Sequence, residues 1–137
     1  VYSLRNVPDL DLIMEALENA EVKEAVVVGA GFIGLEMAEN LVHRGLKVTL
    51  VEMASHVLPP FDEEMAVFVQ DELVRNGVKV ITGQSANEFR DNGHEVVLTD
   101  GQVIKSDLTI MSVGVRPENA LAEKAGIELG IRGGIMV

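Results

Sequence analysis

The chain has 137 residues, 47% of them apolar and none of them cysteine, with 22 acidic side chains against 11 Lys and Arg for a formal charge of −11. That length and apolar fraction suit one domain with its own core, and the acidity, with no basic stripe or basic helix, argues against nucleic acid or an anionic membrane as partner. Without cysteine there is no disulfide framework, thiolate nucleophile or Cys metal site, and with neither a bilayer-length apolar run nor a targeting pattern the expected setting is cytoplasmic.

In chain order, Val1 to Pro8 reads as an extended, linker-like lead-in, because Pro8 steers Val7 away from the helical region. Asp9 is placed to cap a helix carrying Leu12, Ile13, Ala16, Leu17 and Ala20 on one face. Ala25 to Val28 is a continuous apolar run, the pattern of a buried parallel strand. Gly29, Gly31 and Gly34 follow with GxGxxG spacing, and Phe32 to Arg44 carries Ile33, Met37, Ala38, Leu41 and Val42 at helical spacing. A second strand then ends at Glu52, 23 residues after Gly29.

Strand, glycine triplet, helix, strand and terminal acid together form a dinucleotide-binding βαβ fingerprint, far more specific than the glycines alone. Gly29 allows a tight turn, Gly31 lets the backbone approach a pyrophosphate, and Gly34 lets the helix lie close to the strands. The first helical turn offers unpaired N–H groups and the positive end of the peptide dipoles, so a pyrophosphate needs no lysine there. Glu52 can accept hydrogen bonds from both hydroxyls of an adenosine ribose and would repel a 2′-phosphate. Met53, Ala54 and Ser55 supply no Arg or Lys for such a phosphate and His56 could receive it only partly, which favours NAD over NADP.

Beyond Glu52, the stretch MASHVLPPF is a loop in which Pro59 and Pro60 forbid regular structure, and Asp62 is placed to cap a helix running to about Asn76. Met65, Ala66, Phe68, Val69 and Leu73 would be its buried stripe, and Gly77 ends it before a third parallel strand, Val78 to Thr82, completing a βαβαβ half. Asn92-Gly93 and Asp100-Gly101 then separate short runs at Ala86 to Arg90, Glu95 to Thr99 and Val103 to Ile104. That spacing predicts a three-stranded antiparallel meander as the crossover. Leu108 to Val113 should return as a parallel strand, bringing Ser112, Val113 and Gly114 to the crevice of the glycine loop. A short helix, a stop at Gly126 and a linker-like end over 130–137 complete an α/β, Rossmann-like plan.

The runs VVVGAGFIGLEMAENL, VTLVEMASHVLPPFDEEM and IMSVGVRPENALAEKAGIEL resemble the nucleotide-binding domain of flavin-dependent pyridine nucleotide-disulfide oxidoreductases. The resemblance covers essentially the whole chain and is strongest toward coenzyme A-disulfide reductases and NADH oxidases. It implies a domain that binds NAD(H) inside a longer enzyme, with FAD held by a separate domain, a dimerisation domain following, and a homodimeric parent. It also implies that Phe32 stands where the family has an aromatic over the flavin, that Glu36 lies near the nicotinamide and pairs with a lysine of the flavin domain, and that the Gly114 backbone passes close to the nucleotide. Arg116 and Pro117 would shape the route back to the flavin domain.

The candidate cofactor-binding set is therefore Gly29, Gly31, Phe32, Ile33, Gly34, Glu36, Glu52, Met53, Val113 and Gly114, with no catalytic residue and no metal ligand in this chain. His43 and His94 lack an acid or Ser constellation and read as surface residues, the six methionines read as core filling, and Asp91, Asp100 and Asp107 read as turn chemistry. Reduction of a disulfide, of oxygen or of peroxide would need groups outside these residues. Two other readings stay open at this point: a domain that binds FAD itself, and a non-enzymatic NADH-sensing module.

Overall fold

In the computed structural model, which describes residues 1–137, the chain runs β1 (Tyr2–Ser3), α1 (Val7–Leu17), β2 (Glu24–Val28), α2 (Phe32–His43), β3 (Lys47–Val51), α3 (Glu63–Arg75) and β4 (Lys79–Ile81). It continues through β5 (Ala86–Arg90), β6 (Glu95–Leu98), β7 (Val103–Lys105), β8 (Leu108–Met111) and α4 (Ala120–Lys124). Five strands form a parallel sheet in the order β1-β8-β2-β3-β4, and β5-β6-β7 form a separate antiparallel sheet. This is the expected α/β architecture: a βαβαβ half, a meander crossover and a returning parallel strand.

Strand β2 is central, pairing Glu24–Val28 with Lys47–Val51 on one side and Ala25–Val28 with Leu108–Met111 on the other. Ala25 to Val28 are all buried because both faces of the strand are covered. Side chains alternate across a strand, and the two faces have different partners. Ala25 and Val27 join Leu50, Leu108 and Ile110 under the helices, against Ile13, Met37, Ala38, Leu41 and Ala66. Val26, Val28 and Val51 point the other way and meet Val96, Leu98 and Ile104 of the meander. The molecule is thus three layers deep: helices, parallel sheet and antiparallel sheet. No helix is long and apolar enough to cross a membrane.

Several expectations are corrected. Val1 to Pro8 is extended only in part and is not linker-like: Tyr2 and Ser3 pair with Ile110 and Met111 as an edge strand, and Val7 and Pro8 already lie in α1. Proline is tolerated there because the N–H it lacks would have had no helical acceptor. The N-cap is Asn6, whose side chain accepts from the Asp9 N–H at 3.0 Å while Asp9 Oδ2 accepts from the Asn6 N–H at 3.1 Å, so Asp9 closes a capping box from inside the helix. Helix α1 ends at Leu17, leaving Ala20 exposed, and Leu12 also faces outward. Asp62 does hold the N-cap position of α3 but makes no capping hydrogen bond.

On α3 only Ala66 is fully buried, and Phe68 is 69% exposed. Strand β8 stops at Met111, so Ser112 and Val113 lie beyond the sheet edge. The segment 130–137 is folded back: Leu129 bridges Ile135, and the Gly130 N–H donates to the Gly134 carbonyl at 2.7 Å. Asp107 does more than make a turn. Its Oδ2 accepts from the N–H groups of Lys23 and Glu24, both at 2.9 Å, tying the start of β8 to the start of β2. Those two backbone donors hold its carboxyl below the ordinary Asp value.

Candidate functional site

At the carboxyl edge of the parallel sheet, the ends of β2, β3, β4 and β8 enclose a cleft of about 380 Å³. Gly29, Gly31, Glu52, Met53, Val113 and Gly114 line it together. Such an edge, between strands whose connections diverge, is where open α/β sheets bind ligands.

The glycines divide into two that pack and one that leaves room. Gly29 leaves β2 at φ +100, and its N–H donates to the Val51 carbonyl at 2.7 Å. A Cβ on Gly29 would strike the carbonyl of Ser112, and one on Gly34 would strike the carbonyl of Gly29. Gly31 differs, because at φ −75 its backbone suits any residue and a Cβ there would meet nothing within 4 Å. A side chain at this position would project into open space and obstruct only an approaching ligand.

Helix α2 begins at the same point. Its first internal bond runs from the Leu35 N–H to the Gly31 carbonyl at 3.0 Å, and Gly31 offers no side-chain cap. The N–H groups of Phe32, Ile33 and Gly34 donate to nothing in the chain, so they and the helix dipole form an anion-seeking end. The Ser112 hydroxyl, also on the cleft lining, is buried with no hydrogen-bond partner.

Glu52 is 8% exposed and acts as a bridge. Its Oε2 accepts from the Ala30 N–H at 2.6 Å and its Oε1 from the Ala54 N–H at 2.8 Å. One carboxylate thus ties the glycine loop to the loop after β3. A carboxylate has about four lone-pair sites, so these two bonds leave acceptor capacity for a ligand. On the backbone, the Glu52 N–H donates to the Ile81 carbonyl at 2.8 Å and its own carbonyl accepts from the Gln84 N–H at 3.1 Å.

The remaining expected residues are spread around this cleft. Gly34 is buried behind Gly29, and Phe32 and Ile33 are exposed on the first turn of α2, outside the lining. The Phe32 ring meets Phe61 edge-to-face, with centroids 6.1 Å apart and planes at 73°. Phe61 is carried there by a loop anchored through buried Val57 and Leu58, the Leu58 N–H donating to the Ala30 carbonyl at 2.8 Å. Glu36 does not reach the cleft; it borders the grooves that α2 makes with α1 and α3. Pro59, Pro60, Gln84 and Ser85 also line the cleft and were not among the expected residues. Their position just beyond the carboxyl ends of β3 and β4 is the signal that could have found them.

The family described as Pyridine nucleotide-disulphide oxidoreductase matches residues 1–137. Among curated relatives, the chain is 42% identical over 132 residues to NADH oxidase of Methanocaldococcus jannaschii, covering 95% of this chain and 30% of that protein. It is 33% identical over 136 residues to coenzyme A disulfide reductase of Staphylococcus epidermidis, covering 99% of this chain and 31% of that protein. The crystal structure of reduced CoADR-RHD from Bacillus anthracis superposes with a TM-score of 0.91 at 45% identity, over 96% of this chain and 24% of that one. The chain therefore spans about 30% of the length of the curated relatives it matches.

Proposed function

The chain belongs to the pyridine nucleotide-disulphide oxidoreductase family, and from that premise we propose that it binds NADH and presents the nicotinamide to an FAD held by another domain of a longer flavoenzyme. The observation that carries this reading is one cleft lined by bare Gly31 and the Glu52 carboxylate, with the unpaired N–H groups of Phe32, Ile33 and Gly34 following directly on Gly31 at the start of α2. A dinucleotide needs an anion site beside a ribose acceptor, and these residues fit both halves.

In this reading the first turn of α2 holds the pyrophosphate, with Gly31 granting close approach, and Glu52 accepts from the adenosine ribose hydroxyls. The Ser112 hydroxyl, Val113 and the Gly114 backbone border the bound chain of atoms on the β8 side. The nicotinamide half extends past Phe32, whose ring would lie over the flavin and move aside as the nicotinamide enters, with Ile33 as a flanking contact and Glu36 meeting a lysine of the flavin domain, while Met53 lies on the adenosine side next to Glu52. Hydride chemistry is supplied by the nicotinamide and flavin when bound, and this chain's part is to bind and orient. The parent's acceptor would be a disulfide, such as coenzyme A disulfide, or oxygen or peroxide; the parent would be a cytoplasmic homodimer.

Calorimetric titration with NADH and NADPH tests the proposal. NADH should bind at least about tenfold more tightly, since a 2′-phosphate would face the Glu52 carboxylate in a confined cleft. Glu52→Gln should narrow that ratio while keeping one oxygen for the backbone donors. Equal or NADPH-favoured binding by the parent chain would refute the role of Glu52.

A further inference from the structure

We propose that Gln84 recognises the adenine base of the dinucleotide and is held in its working orientation by the hairpin between β6 and β7, an inference that rests on reading the cleft as an NADH site. Gln84 follows β4 at the carboxyl edge of the sheet and lines the cleft with Glu52 and Met53. Its side-chain oxygen accepts twice from the hairpin, from the Thr99 hydroxyl at 2.6 Å and from the Asp100 N–H at 3.0 Å. A backbone N–H can only donate, so the atom facing Asp100 is the amide oxygen and the group cannot be flipped. The Thr99 N–H also donates to the Ser85 carbonyl at 3.0 Å, clamping the same two segments.

With its oxygen occupied, Gln84 keeps two side-chain N–H donors that make no hydrogen bond within the chain. The cleft it lines also presents the apolar surfaces of Pro59, Pro60 and Met53, the last 74% exposed. A cleft with these apolar surfaces and an amide whose oxygen is already fixed, leaving only donors for a ligand, suits a flat heteroaromatic base whose ring nitrogens accept. A ribose, whose hydroxyls donate, is served by Glu52 instead. Adenosine is therefore divided between an acceptor for the sugar and a donor for the base. No residue of β5, β6 or β7 lines the cleft; the meander reaches it from behind, through Val96 and Leu98 packed under Val28 and Val51, and by hydrogen bonds through Thr99 and Asp100.

The test reads the donor group directly, by two-dimensional amide spectroscopy of the isotope-labelled chain. The Gln84 side-chain amide pair, assigned by its loss in Gln84→Met, should shift with NADH and with adenosine monophosphate. It should stay in place with reduced nicotinamide mononucleotide, which lacks adenosine. Calorimetry should show NADH binding about tenfold weaker in Gln84→Met, the loss of roughly one hydrogen bond. Thr99→Val, which keeps Gln84 but removes one of the two bonds that orient it, should give a smaller loss, about threefold. If NADH shifts the backbone signals of the glycine loop but leaves the Gln84 pair unmoved, the Gln84 assignment fails and the NADH reading stands. If NADH shifts neither, both fail.

Discussion

Helices α2 and α3 are alike in length, 12 and 13 residues, and each lies between two parallel strands, yet they are seated differently. Helix α2 buries Gly34, Met37, Ala38 and Leu41, whereas α3 fully buries only Ala66. The segment leading into α2 is just 29–31, so the helix starts against the strand it has left, and the missing Cβ of Gly34 lets it rest on the Gly29 carbonyl. Helix α3 is reached through the longer loop 52–62 and lies more loosely on the sheet. On the proposed reading the first turn of α2 serves a ligand and has to be fixed to about half an ångström, while α3 only closes a crossover.

The largest test of that contrast is Gly34→Ala. The added methyl enters backbone, not a yielding side chain, so denaturant unfolding should show a loss of about 3 kcal/mol or more. Its counterpart Gly31→Ala, three residues earlier, should change stability by less than about 0.5 kcal/mol and still weaken NADH binding at least tenfold. Comparable stability losses at the two glycines would mean that α2 is not pinned at Gly34. A finer comparison sets Leu41→Ala on α2, expected to cost about 3 kcal/mol, against Leu73→Ala on α3, where partial burial should hold the loss near 1 kcal/mol. Equal losses would place the two helices on the same footing. The smallest effect is expected for Phe68→Ser, within about 0.5 kcal/mol because the ring is already in solvent; a drop of a few kcal/mol would show α3 packed through the face that here points outward.

The same contrast shows what could be read from the residues. Around α2 the reading was nearly complete, since a continuous apolar strand, three spaced glycines and a single helical stripe leave one arrangement. On α3, Met65 and Phe68 lie on one line of helical spacing while Ala66, Val69 and Leu73 lie on its neighbour. Periodicity alone merged them, because it gives the pitch of a stripe and not which of two adjacent stripes faces inward. The lead-in was misjudged because Pro8 was read as a helix breaker when the capping box of Asn6 and Asp9 makes it a helix opener. Spacing from Gly29 suffices to bring Glu52 to the cleft lining. It does not give the bonds of Glu52 to the Ala30 and Ala54 N–H groups, since they depend on how two loops meet in space. Asp107 and Gln84 escaped for that reason too, their partners lying 83 and 15 residues away in the chain.

The pairing of Tyr2 and Ser3 with β8 has a practical side. These two residues cover the open border of a strand whose Leu108, Thr109 and Ile110 are almost wholly buried. A chain trimmed past Ser3 would keep its folded centre but expose a row of unpaired amides beside apolar side chains, an invitation to edge-to-edge aggregation. Its shelf life would then shorten as the sample is concentrated, a dependence that a purely intramolecular loss of structure does not have.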